Sequence, residues 1–176
     1  MSQQAGRYQR SAAGMVGAMI VLVVVVIGFV LFRDANRVDP ASPVRSVDYQ
    51  QAADYARGQA GFDLLSPTDL PEGWRATSAG YVPGDDEAWH LGLLTDDERY
   101  VGLEQSGSSV DSMVEEFVDP GAKRGQPVEV DGRPWQTWSD DGGDLALVRS
   151  QGGTTTLVVG HDVPEDALAE FVGSLR

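Results

Sequence analysis

Hydrophobic and polar positions divide this chain sharply. Ser11 to Phe32 reads SAAGMVGAMIVLVVVVIGFVLF, 22 residues without one charged side chain. As a helix that run extends about 33 Å at 1.5 Å per residue, against a bilayer core of about 30 Å. Its Val- and Ile-rich middle suits a strand in composition, yet soluble strands usually stop near about 4–8 residues. A cleaved signal sequence has a shorter apolar region and ends at a small-x-small site, which the following Arg33-Asp34-Ala35-Asn36-Arg37 does not provide. The pattern predicts an uncleaved transmembrane anchor over 11–32, behind a polar tail at 1–10.

Pro40 and Pro43 among charged residues mark 33–46 as a linker, and the pattern beyond it is that of one water-facing domain over 47–176. Ser46 stands where it can cap a helix near Val47 to Arg57, whose Tyr49, Ala52, Ala53 and Ala56 share a face. Leu70-Pro71-Glu72-Gly73 has the residues of a type I turn. Alternation at Trp74, Ala76, Ser78 and Gly80 predicts a strand ending before Pro83-Gly84. Ala88–Leu94 and Tyr100–Gln105 then read as a hairpin around Thr95–Arg99. Ser109 opens a short helix to about Phe117, with Met113, Val114 and Phe117 on one side, and Asp119-Pro120-Gly121 stops it.

The second half predicts four strands in hairpins: Val128–Val130, Pro134–Ser139, Asp144–Arg149 and Thr154–Gly160. Asp131-Gly132 between the first two is a type I′ signature. Asp162 and Pro164 start a last helix with an apolar stripe of Ala167, Leu168, Phe171, Val172 and Leu175. The order α-βββ-α-ββββ-α predicts an α+β fold, one antiparallel sheet with helices packed on it.

Charge refines the picture. All 27 acidic residues follow the apolar run, with 11 of the 13 basic ones, so the part beyond it carries 11 − 27 = −16. Arg7 and Arg10 before the run nearly balance Arg33 and Arg37 after it. A short tail held inside and a large acidic domain exported is the simplest orientation, giving a single-pass protein with a cytoplasmic N-terminus. The bilayer is then its first partner, through residues 11–32. Clustered Lys and Arg are missing, which argues against nucleic acid and anionic headgroups. The absence of cysteine excludes disulfides, a thiolate nucleophile and thiolate zinc sites.

Candidate chemistry is sparse. His90 lies in the second strand and His161 after the last one, with no metal-binding spacing between them. No G-x-S-x-G elbow, P-loop or G-x-G-x-x-G opening a helix occurs, so neither cofactor nor nucleotide is expected. Asp85-Asp86-Glu87, Asp96-Asp97-Glu98 and the Asp140–Asp144 cluster offer oxygens for Ca²⁺, but all fall at turns, where Asp favours the geometry. Trp135 and Trp138 are an odd distance apart on one strand, so one points to the core and the other is either covered by a helix or exposed and free to contact a partner or ligand. In the apolar run, Ala13 with Gly17 and Gly14 with Ala18 are small-xxx-small pairs that suit close helix packing.

LPEGWRATS (Leu70–Ser78), WHLGLLT (Trp89–Thr95) and YVGLEQ (Tyr100–Gln105), after RYQRSAAGMVG (Arg7–Gly17), resemble an actinobacterial family of single-pass membrane proteins known as a domain of unknown function. The resemblance covers nearly the whole chain and implies a tethered domain in a Gram-positive envelope, with no catalytic residue to carry over. The element order alone is similar to that of PsbP proteins. The resulting expectation is a non-catalytic envelope module that binds a protein partner or small ligand. The alternative is a cryptic hydrolase using His90 or His161 beside a carboxylate.

Overall fold

A computed structural model describes residues 46–176. The tail, the anchor expected at 11–32 with Ala13, Gly14, Gly17 and Ala18, and all of the linker except Ser46 lie outside the described residues. Among the described residues, no helix is long and apolar enough to cross a membrane.

The domain is α+β: one antiparallel eight-stranded sheet with three helices. In chain order these are α1 (Tyr49–Arg57), β1 (Arg75–Val82), β2 (Ala88–Leu94), β3 (Tyr100–Ser106) and α2 (Val110–Phe117). There follow β4 (Lys123–Arg124), β5 (Val128–Val130), β6 (Arg133–Ser139), β7 (Asp144–Gln151), β8 (Thr154–His161) and α3 (Glu165–Gly173). Across the sheet the order is β1-β2-β3-β8-β7-β6-β4, with β5 also on β6. The β3–β8 pairing joins a three-stranded meander to the later hairpins.

Three local expectations change. The cap of α1 is Asp48, whose carboxylate accepts from the Gln51 N–H, not Ser46. The two-residue strand β4 joins the sheet without the alternation that would announce it. Asp162 does not start α3: it adopts a left-handed φ of 54° and donates its N–H to the Gly143 carbonyl, while Pro164 takes the cap position. By contrast, Asp131 and Gly132, with φ 50° and 69°, form the two-residue turn that their identities prescribe.

Side chains of odd-numbered residues on β2, β3 and β7, with even ones on β8, build the main core. Trp89, Leu91, Leu93, Val101, Leu103, Leu147 and Val158 are buried there beneath Tyr49, Ala53 and Ala56 of α1 and Leu168, Phe171 and Val172 of α3. Trp74 stacks on Phe171 with ring centroids 5.6 Å apart. Trp89 is fully buried and its indole N–H has no partner among the described residues. Burying about 200 Å² of ring at about 25 cal/mol per Å² contributes about 5 kcal/mol, which exceeds the about 1–3 kcal/mol cost of the unpaired donor. On the opposite face, Met113 and Val114 of α2 cover Ala146, Val148, Leu157 and Val159 of β7 and β8.

A bulge interrupts β1. Ala76 pairs with Leu93 and Ser78 with Gly92, so Thr77 is the extra residue. Side-chain parity inverts across it. Trp74 and Ala76 face the main core before the bulge, Ala79 and Tyr81 after it, and Ser78 is turned to the opposite face.

Candidate functional site

Trp135 and Trp138 project to opposite faces of β6, as their spacing requires. Trp135 belongs to the main core and is 4% exposed. Trp138 is half-buried beside Val110 and Phe117 of α2. No described tryptophan stands fully exposed; the exposed large apolar side chains are Val47, Tyr55, Val82 and Tyr100.

Beyond Trp135 the main core gives way to a cavity of about 370 Å³. Its floor is a row of side chains from neighbouring strands: Trp135 of β6, Arg149 of β7, Thr156 of β8 and Gln105 of β3. Its roof is the loop from Gly61 to Leu65, and Arg133 stands at its rim. The loop is fastened at two points. Gln105, 2% exposed, accepts from the Leu65 N–H at 2.7 Å and donates to the Asp63 carbonyl at 3.3 Å and to Thr156 Oγ1 at 3.1 Å. Glu87 accepts from the Gly61 N–H at 3.0 Å and the Tyr81 hydroxyl at 2.7 Å, and these donors hold its carboxyl below the ordinary range. Gly61 permits the approach, since a Cβ there would fall 2.7 Å from Glu87 Oε1.

The face of β1, β2 and β3 opposite the main core carries a second constellation. His90 Nδ1 lies 2.5 Å from Glu104 Oε1, its direct cross-strand neighbour, and His90 Nε2 lies 2.8 Å from Ser78 Oγ. Gly92 and Gly102 pair beside this relay and the Tyr100 ring covers both. Glu104 is buried, which raises its pKa, while the bond to Glu104 raises that of His90. With Glu104 ionised, Nδ1–H donates to it. Nε2 then accepts from the Ser78 hydroxyl when the ring is neutral and donates to it when the ring is charged. That is the order of a nucleophile, a base and an orienting carboxylate.

His161 is exposed and lies 2.9 Å from Asp144, whose bond to the ring raises its pKa. Four side chains of the acidic turns are engaged by other residues: Asp97 by Thr95 and Arg99, Glu98 by Arg75, Asp140 by the Asp144 N–H and Asp141 by Lys123. Among the described residues, no three His, Asp or Glu side chains converge as a metal site. A cavity lined by Asp85, Asp86, Met113, Glu116 and Phe117 lies on the α2 side, and another beside Trp138 holds Pro127, Pro134 and Arg124.

The model of one protein family, described as a protein of unknown function (DUF4245), matches residues 7–175. The chain belongs to DUF4245. No curated protein matches it. Membership therefore assigns no role to any residue of this DUF4245 chain. Sequence reasoning singled out Trp135 and His90 but missed Arg133, Arg149, Gln105, Ser78 and Glu104. Arg133 was within reach, because it lies two residues before Trp135 on the same strand and so on the same face. Ser78 was not, because its face depends on the bulge.

Proposed function

We propose that this DUF4245 chain is a single-pass protein of an actinobacterial envelope, anchored through residues 11–32 with its N-terminus in the cytoplasm. Its exported domain, PsbP-like in element order, is a non-catalytic module that binds a small ligand in the cavity over Trp135. The observation that supports this is the fastened roof. Gln105 and Glu87 hold Gly61–Leu65 over the sheet, which keeps a concave space open next to a rigid core.

The test compares wild type with Thr154→Trp, which puts an indole into that space from a half-buried lining position. Full-length protein purified from native membranes is extracted and its small molecules identified by mass spectrometry. A compound that accompanies wild type and is lost from the folded variant is expected. Equal recovery from both, or none from either, removes the cavity from consideration.

The second reading is acyl transfer to Ser78, with His90 as base and Glu104 orienting it, and the 2.8 Å and 2.5 Å contacts favour it. Ser78 and His90 line none of the three cavities, which places this reading second. A fluorophosphonate probe that labels wild type but not Ser78→Ala supports it. Failure to label the folded wild type at any pH between about 6 and 9 ends it.

A further inference from the structure

Arg133 and Arg149 both line the cavity. Acidic residues outnumber basic ones by 27 to 13 in this chain, so carboxylate partners for a guanidinium are plentiful. Arg57, Arg75, Arg99, Lys123 and Arg176 each have one within contact, whereas Arg124, Arg133 and Arg149 have no ion pair among the described residues, and of these three Arg133 and Arg149 line this cavity. The Gln151 side-chain carbonyl accepts from Arg149 and steers it. Thr156 Oγ1 takes its proton donor from Gln105, which leaves the Thr156 hydroxyl hydrogen to give to something else. Among the described residues, Asp63 is the one acidic residue in the lining. The cavity is thus rich in donors and carries a local positive excess, while the space between Asp85, Asp86 and Glu116 has the opposite sign.

Resting on the cavity reading above, we infer that the ligand carries an oxyanion, a carboxylate or phosphate group, held between Arg133 and Arg149. Planar guanidinium forks suit both groups. The remainder of the ligand is apolar or aromatic and lies against Phe62 and Trp135.

The experiment uses the full chain in phosphatidylcholine nanodiscs and isothermal titration calorimetry. The probes are phenyl phosphate and benzoate, with benzamide and benzamidine as neutral and cationic counterparts. The two oxyanions bind, the other two do not, and Arg133→Gln/Arg149→Gln weakens oxyanion binding at least tenfold with unchanged thermal melting. Benzamide binding as well as benzoate, or a double variant that binds like wild type, overturns the oxyanion assignment while the cavity reading stands. If none of the four probes binds, the oxyanion assignment fails, and the Thr154→Trp comparison decides separately whether the cavity holds any ligand. Phosphatidylglycerol added to the discs separates the sources. Competition with phenyl phosphate identifies a lipid headgroup and its absence a soluble anion, both within the assignment.

Discussion

Replacing Gly92 with alanine sets a methyl group 2.4 Å from Ser78 Oγ, 3.3 Å from His90 Nε2 and 3.4 Å from Tyr100 Cε2. The hydroxyl is the movable member of that set. To clear the methyl it must leave the rotamer that reaches His90, and the 2.8 Å contact is lost with it. A side-chain hydrogen bond contributes about 0.5–1.5 kcal/mol net, and displaced neighbours bring the cost into the overpacking range of about 1–3 kcal/mol. Alanine also stiffens the unfolded chain relative to glycine, which returns about 0.4–1 kcal/mol. Gly92→Ala is therefore expected to lose about 1–2 kcal/mol, and Ser78→Ala about 1 kcal/mol. In the double variant the methyl occupies space the hydroxyl vacated, so the two changes cost less together than apart, with a coupling of about 1 kcal/mol. Urea unfolding of the four full-length proteins in one detergent, followed by circular dichroism, measures this cycle. Additivity within about 0.5 kcal/mol would refute the argument. Ser78 would then not stand opposite Gly92, and the bulge at Thr77 that brings it there would be misplaced.

Phe171→Ala removes a fully buried ring that stacks on Trp74 and should cost about 3–5 kcal/mol, read from the same urea midpoints; a loss below about 1 kcal/mol contradicts the packing of α3 on the sheet. Gln105→Leu strands the Leu65 N–H and Asp63 carbonyl, so hydrogen exchange at Leu65 should speed up and stability fall by about 1–3 kcal/mol; unchanged exchange means that the roof is held otherwise. For pH, the sign follows from two raised pKa values. The stability His90 contributes is complete below its unfolded value of about 6.5 and is lost as pH rises through the higher folded one. Buried Glu104 acts in the same direction, because ionising it in the folded state costs stability as pH climbs above the ordinary carboxylate range. Wild type should therefore lose stability relative to Glu104→Gln on going from about pH 5 to about pH 8, seen as converging melting temperatures; a wild type that gains over that range reverses the assignment.

Most elements were legible because their signals are local. The stripe Leu168, Phe171, Val172 marks α3, and Asp131-Gly132 marks the β5–β6 turn, since each depends only on spacing or on φ preference. What escaped was non-local. Nothing near Lys123–Arg124 announces a strand, because its pairing with Trp138 and Ser139 is supplied by β6. The relay required three strands in register and one bulge, and parity read from Trp74 onward places Ser78 in the core, the wrong face. The cavity needed the loop after α1 to return over β3 and β8, a path set by one buried amide, Gln105. Trp135 was singled out by its odd spacing from Trp138, which separates the two faces of β6 but does not show that a cavity opens beyond the buried ring.

The two borders of the sheet share one property. On one side, β1 is kinked at Thr77, receives the Val47 N–H at the Ala76 carbonyl and runs into Pro83. On the other, β4 is two residues long and both are cationic. Among the described residues, the kink and Pro83 shorten the free ladder of β1 and the charge of β4 disfavours pairing there, so neither border offers a long, regular edge for a second molecule to extend. Copies of this domain crowded on one surface therefore have little means of zipping together into fibrils, and its acidity keeps them apart without help from the borders.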